Sequence, residues 1–225
     1  MQLSDRTMSV LKNYATINPN IVINEGKVLN TVSVARNLFS KTSIEESFPV
    51  GFGIYDLNEF LGVLSLVDRP NLKFEKDYVV VGDSTGRSRI KYFFSDPDLL
   101  TQPSKDVIMP ESEVKFTLDN DTLNRIKRAA QALGHTQISI TPNNGAIQIS
   151  VVDVKDNTSN TFSIDVDGSY PAGVDFNLIL NVSNLKIVNE DFDVSISSRL
   201  ISRFASKQSD IEYFIALEKS STYGA

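Results

Sequence analysis

Apolar residues recur at helical spacing in three stretches of the chain and alternate at a spacing of two through much of the remainder. The clearest helix is Leu118–Leu133, LDNDTLNRIKRAAQAL. Leu123, Ile126, Ala130 and Leu133 form its apolar stripe, Asp119 or Asp121 suits the N-cap, and Gly134 supplies a stop. At about 100° per residue, Asn124, Arg125, Arg128 and Gln131 fall on the opposite side, with Lys127 beside them. Ser4–Ile17 reads as a second helix with Ser4 as N-cap. Thr7, Met8, Leu11, Tyr14 and Ala15 are placed inward, and Arg6, Ser9, Lys12 and Asn13 outward. Tyr55–Val67 reads as a third, burying Leu57, Phe60, Leu61 and Leu64 and leaving Asn58, Gly62 and Ser65 as a narrow polar side.

Strands occupy most of the rest. Ile21–Ile23 and Lys27–Val34 flank Asn24-Glu25-Gly26, a hairpin signal. Phe48–Ile54 follows, weakened by Gly51 and Gly53. Leu72–Glu75, Tyr78–Val81 and Ser88–Ser95 lead into Ser95–Glu111, whose three prolines and lack of period mark a connector. Beyond it come strands at Glu113–Leu118, Thr136–Thr141 and Ala146–Val152, the latter two around the turn Pro142-Asn143-Asn144-Gly145. Strands at Asn160–Val166 and Val174–Leu180 follow. A short helix is expected at Asn181–Val188, then strands at Asp191–Ser197, Leu200–Ser206 and Ile211–Glu218. The second half thus repeats the order of the first: helix, strands, helix, three strands. Ile90-Lys-Tyr-Phe-Phe94 matches Ile211-Glu-Tyr-Phe-Ile215, and Asp56–Leu61 loosely matches Asn181–Lys186. The expectation is an α+β chain of two similar domains, 1–108 and 109–225, each with two helices packed on antiparallel sheet.

Charge changes this picture. The chain has 225 residues and a net charge of −6, yet three cations and no acid lie between Asn124 and Leu133. An ordinary solvated face and a binding face are both open readings of that helix. An acidic total argues against gripping nucleic acid over the whole surface and leaves room for one basic face. With 41% hydrophobic residues a full core is available; without cysteine, disulfides and thiolate metal sites are excluded. MQLSDRTM lacks the basic-then-apolar layout of a secretory leader, and no apolar run reaches the ~18–20 residues of a membrane span.

SDRTMSVLKNYATINPNIVI at the start, IYDLNEFLGVLSLV (Ile54–Val67) and YFIALEKSST (Tyr213–Thr222) closely resemble the DNA polymerase sliding clamps of T-even-type tailed bacteriophages. The resemblance runs the whole length, is most specific in Ile54–Val67, and is weakest in the middle of the second half. The loop Gly82–Arg89 and the connector Ser95–Glu111 depart from the family pattern. The resemblance implies clamp domains and a ring of three identical subunits around duplex DNA without base specificity. It further implies docking of the DNA polymerase, a separate clamp-loader ATPase, late transcription factors as a further partner class, and the cytoplasm of an infected bacterium. Arg6, Lys12, Arg125, Lys127, Arg128 and Lys186 are then expected to face the DNA. Glu45, Glu46, Asp96, Asp98, Asp153, Asp156, Asp165, Asp167, Glu190, Asp191 and Asp193 are expected to face outward. Polymerase tails are expected on an apolar pocket by the connector, drawn from Val107, Ile108, Met109 and Pro110 with Phe39, Tyr213 and Ile215. Pinning of the connector is the alternative role for Ile108 and Met109.

Helix packing at ~8–10 Å checks the ring. Eight helices would leave a hole of ~13 Å and twelve one of ~24 Å. A duplex of about 20 Å, with grooves ~7.5–8.5 Å deep, fits only the latter, so four helices per chain require three chains.

Catalysis has little footing. His135, the only histidine, sits at a helix end, where it suits the C-terminus. No GxxxxGK[ST], HExxH or GxSxG occurs. Val81–Arg87 superficially resembles a phosphate loop but lacks the lysine and a following helix, and reads as a hairpin turn. Asp165-Val-Asp-Gly168 is a calcium-loop fragment without the distal glutamate, and reads as a turn. No cofactor, metal site or catalytic residue is expected. A phage tail or baseplate ring built from duplicated β domains is the alternative function; it would not need cations on one helix face.

Overall fold

A computed structural model describes residues 1–83, 85–156 and 158–224. The chain divides into two compact units, Met1–Asp106 and Val107–Ala225. In the first unit the order is α1 (Asp5–Ile17), β1 (Ile21–Ile23), β2 (Gly26–Val32), β3 (Leu38–Phe48), β4 (Phe52–Ile54), α2 (Leu57–Ser65), β5 (Asn71–Phe74), β6 (Tyr78–Gly82) and β7 (Arg89–Phe93). The second holds β8 (Val114–Leu118), α3 (Asn120–Leu133), β9 (Gln137–Asn143), β10 (Ala146–Val152), β11 (Phe162–Val166), β12 (Gly168–Ser169), β13 (Phe176–Asn181), β14 (Phe192–Ser197), β15 (Ile201–Ser206), β16 (Glu212–Ala216) and β17 (Thr222–Tyr223).

In the first unit, the Ser4 hydroxyl accepts from the Thr7 amide at 3.2 Å and caps α1. The buried stripe is Thr7, Val10, Leu11, Tyr14 and Ile17, so Val10 and Ile17 hold the inward places expected of Met8 and Ala15, which are half-buried. The helix is rolled about Tyr14, whose buried hydroxyl donates to the Leu29 carbonyl at 3.4 Å and accepts from Ser40 at 3.1 Å. The expected β1–β2 hairpin does not form: β1 pairs antiparallel with β4, and β2 pairs with β3. The eleven-residue β3 went unforeseen because two of its inward positions are hydroxyls, Ser40 and Thr42, which hide the apolar alternation. The expected strand Phe48–Ile54 is broken at residues 49–51. α2 buries Leu57, Phe60 and Leu64, while Leu61 is half-buried. β5, β6 and β7 form an antiparallel meander, and Phe60 packs edge-on against Tyr92 with centroids 5.0 Å apart.

Glu46 is not a free outward acid. Its carboxylate accepts from the Ser4 amide and, at 2.6 Å, from the Thr7 hydroxyl, tying the start of α1 to β3. Burial alone would raise its pKa, but these hydrogen bonds outweigh it and hold the group below the ordinary glutamate value. Its stabilisation is therefore complete above that ordinary value and is lost as pH falls through the folded-state one. Glu46→Gln is expected to cost about 1–2 kcal/mol at neutral pH and to flatten the acid limb of a plot of melting temperature against pH. An unchanged acid limb would show that this tie is not what acid breaks.

The second unit carries two antiparallel layers of strand pairing. One runs β11-β10-β9-β13-β17; in the other, β8 pairs β12 and β14, β14 pairs β15, and β15 pairs β16. Asn144 and Gly145, with φ of 48° and 92°, close the β9–β10 hairpin as a two-residue turn. Pro142 and Asn143 belong to β9. α3 is capped by Asp119, whose carboxylate accepts from Thr122 N at 2.7 Å, and stops at Gly134 with φ of 68°. Ala130 is buried, and Leu123 and Ile126 are buried beside Phe116, Ile138, Ile149 and Phe204, each large apolar side chain contributing ~1.5–3 kcal/mol.

The expected fourth helix, Asn181–Val188, is absent. Val182–Asn184 is a single 3-10 turn, started by Asn181 accepting from Ser183 N at 3.0 Å. Leu185 and Ile187 are both buried, at a spacing of two that a helix cannot place on one face. The second unit therefore has one α-helix among its described residues.

Candidate nucleic-acid interface

Arg125 and Arg128 are exposed on the solvent side of α3 with Gln131, and Lys127 lies half-buried on its flank. Leu123 and Ile126 on the buried stripe fix the roll of the helix and hence the direction of the cations. Arg125 is exposed but not adrift: its guanidinium lies over the Phe162 ring of β11 at 5.9 Å. Arg128 is exposed, and its Nε–H donates to the Asn124 carbonyl at 3.4 Å. Asn124 in turn donates to the Asn120 side chain at 3.0 Å. Lys127 is half-buried, and burial lowers its pKa. Asp121, Asn124, Lys127, Arg128 and Gln131 line a shallow polar hollow on this face.

On α1, Lys12 is exposed with Ser9 and Thr16, whereas Arg6 is half-buried and reaches the Thr42 hydroxyl of β3 at 3.3 Å. Lys186 is exposed on the irregular chain after the 3-10 turn, not on a helix. α2 presents Asn58, Glu59, Gly62 and Ser65 and adds no cation. The Arg125–Phe162 contact has no signature in the sequence, because the two residues meet only through the pairing of β11 with β10.

Other expected outward acids also have local work. Asp191 accepts from the Asn120 amide at 2.8 Å, and Glu190 from the hydroxyls of Ser206 and Ser209. Asp165 lies within β11 and accepts from Asn143 and Gln148, so it is not part of a calcium turn. No group of three or more metal-ligating side chains occurs among the described residues. Ser84 of the Val81–Arg87 stretch lies outside the described residues. The amides around it are occupied: Asp83 accepts from Arg87 N, Ser88 N and the Thr85 hydroxyl. The Thr85 bond leads in holding the Asp83 carboxyl at about 2. An Asp claims the donors that a phosphate would need. His135 uses its ring on the Asn160 carbonyl at 2.7 Å rather than on the helix end.

Of the expected docking residues, Ile108 is 88% exposed, and Val107, Met109 and Pro110 are half-exposed on chain without regular structure. Phe39 is buried in β3. Tyr213 and Ile215 are wholly buried in β16, and the Tyr213 hydroxyl accepts from Val188 N at 3.3 Å. All three are buried and offer a partner little surface.

The model for "DNA polymerase processivity factor" matches residues 4–109, and that for "gp45 sliding clamp, C terminal" matches 115–219. The sliding clamp of Vibrio phage KVP40 is 35% identical over 224 residues, covering 97% of this chain and 99% of that one. Those of Escherichia phage RB69 and Enterobacteria phage T4 are 29% and 28% identical, with 99% coverage of each chain. The fold is shared with solved structures of proliferating cellular nuclear antigen. That from Entamoeba histolytica aligns with a TM-score of 0.68 at 12% identity over 94% of both chains. That from A. fulgidus, bound to the C-terminal region of FEN-1, aligns with 0.71 at 14% over 98% of both. The tail or baseplate alternative falls here, because relatives and structural neighbours are clamps. Identity of 35% along nearly the full length, two family models laid end to end and an α+β clamp fold together show that the chain belongs to the bacteriophage sliding-clamp family of DNA polymerase processivity factors.

Proposed function

We propose that three copies of the chain close into a ring around duplex DNA in the host cytoplasm, and that the polymerase is tethered to it. The carrying observation is the α3 face: Arg125 and Arg128 are exposed and Lys127 flanks them half-buried, with no acid from Thr122 to Leu133, in a chain of net charge −6. Phosphate contacts from such a face carry no base information. A few cations per chain keep each contact weak and salt-sensitive, which lets a closed ring hold by topology and still slide. Lys12, Arg6 and Lys186 are assigned to the DNA as well. The lining amounts to three helices and one irregular segment, Leu185–Val188, per chain, so the ring of twelve segments needs that segment to span the width of a helix. Residues 1–108 and 109–225 serve as the two clamp domains. The protein performs no catalysis in this role; a separate ATPase opens the ring.

Light scattering is expected to give a mass three times the 24.9 kDa chain. Loaded protein should stay on nicked circular DNA and leave once the circle is linearised. A single-chain mass, or equal retention on linear DNA, would defeat the ring.

Polymerase docking is assigned to Val107–Pro110, with Ile108 as the apolar anchor, since an isolated exposed isoleucine on irregular chain suits a tail peptide. Ile108→Ser is expected to weaken polymerase binding by about tenfold, the loss of ~1–2 kcal/mol of buried side chain, without changing the melting temperature. Calorimetric titration with the polymerase checks this; unchanged affinity would leave Ile108 only the role of fixing the connector. Late transcription factors would be expected to compete for the same stretch.

A further inference from the structure

Lys127 stands apart from the other cations of α3. One helical turn away on either side it meets Leu123, Asn124, Ala130 and Gln131, so no acid is placed to pair with it, and among the described residues none does. The hollow it lines contains one carboxylate, that of Asp121, which lies beyond ion-pair distance. Burial disfavours its ammonium form and leaves more of the amine neutral than at an exposed lysine. Beside it, Arg128 commits only its Nε, to the Asn124 carbonyl at 3.4 Å. Arg128 and Gln131 line the same hollow as Lys127. A lysine that sheds its proton more readily than an exposed one thus shares a hollow with an arginine, whose fork suits a phosphate.

We propose that Lys127 is an acylation site for small acyl phosphates, whose phosphate is held by Arg128 while Lys127 attacks the acyl carbon. The Nζ lone pair forms the amide bond and the acyl carbon–oxygen bond breaks. That electron pair leaves with inorganic phosphate, which also takes the amine proton. No oxidant or metal is required. The product is neutral, so one cation is removed from the α3 face. The consequence for DNA rests on the channel reading above; the acylation does not.

The test treats the full chain with acetyl phosphate, without DNA, and follows each lysine by mass spectrometry, with the exposed Lys12 and Lys76 as internal references. Lys127 is expected to react several-fold faster than either. Its lead should shrink with Arg128→Gln, recover with Arg128→Lys, and be smaller for N-hydroxysuccinimidyl acetate, which has no phosphate to seat. A Lys127 rate no higher than that of Lys12 overturns the site, and a lead indifferent to Arg128→Gln overturns the phosphate seat. Retention of the acetylated protein on nicked circles is scored separately, so failure of the channel reading is distinguishable from failure of the acylation.

Discussion

Replacing Arg125 and Arg128 together by glutamate is expected to cut processive synthesis by at least about tenfold while leaving a folded protein of unchanged oligomeric mass. Two positive charges per chain are reversed on the only cationic stretch of α3. For a ring on DNA, every phosphate left without its cation lowers the slope of log affinity against log salt by about 0.9. Both side chains are exposed, so the cost to folding is small. The largest structural loss is the stacking of Arg125 on Phe162, worth ~0.5–1 kcal/mol. Reversal of Lys155 and Lys219, exposed on loops of the same unit, is the matched control and should leave synthesis unchanged. Primer extension at several salt concentrations reads the effect. Normal product length in the α3 double variant, with the protein folded, would move the DNA to another surface.

Gly168→Ala should be strongly destabilising for a single added methyl. Gly168 pairs with Phe116 where β12 meets β8. An added Cβ would stand 2.4 Å from Ile147 Cδ1, 2.6 Å from the Lys115 carbonyl oxygen and 2.9 Å from Phe116 Cβ. Ile147 is fully buried and has little room to turn, and the Lys115 oxygen is backbone. Relief therefore requires β12 to leave β8, at a cost of about 3 kcal/mol. If the protein melts as one unit, the midpoint should fall by ~6–12 °C. Gly62→Ala on α2 meets nothing within 4 Å and should instead stabilise by ~0.5–1 kcal/mol. Calorimetry on both variants decides; a Gly168→Ala midpoint within a degree of the parent would show that the strand pairing gives way freely.

Local patterns decided a good part of this protein on their own. The α3 sequence carries its cap at Asp119, its stop at Gly134 and its stripe at Leu123, Ile126 and Ala130, all of which depend on neighbours within a turn or two. The same holds for the Asn144-Gly145 hairpin and for the alternation that marks β14 and β15. Because the roll of an amphipathic helix follows from its own apolar positions, the solvent side of Arg125 and Arg128 was legible before any fold was known. Pairing was not. β1 chose β4 over its neighbour β2, and β3 was hidden behind Ser40 and Thr42, because strand partners and buried hydroxyls are settled by contacts far apart in sequence. Asn181–Val188 has a helical look locally, but the core's demand for both Leu185 and Ile187 pulled it straight. Only the tertiary structure could turn Glu46 from a surface acid into the anchor of α1, lay Arg125 on Phe162 and bury Tyr213 and Ile215. Each of those outcomes is set by which residues come within a few ångströms, and a linear pattern does not contain that distance.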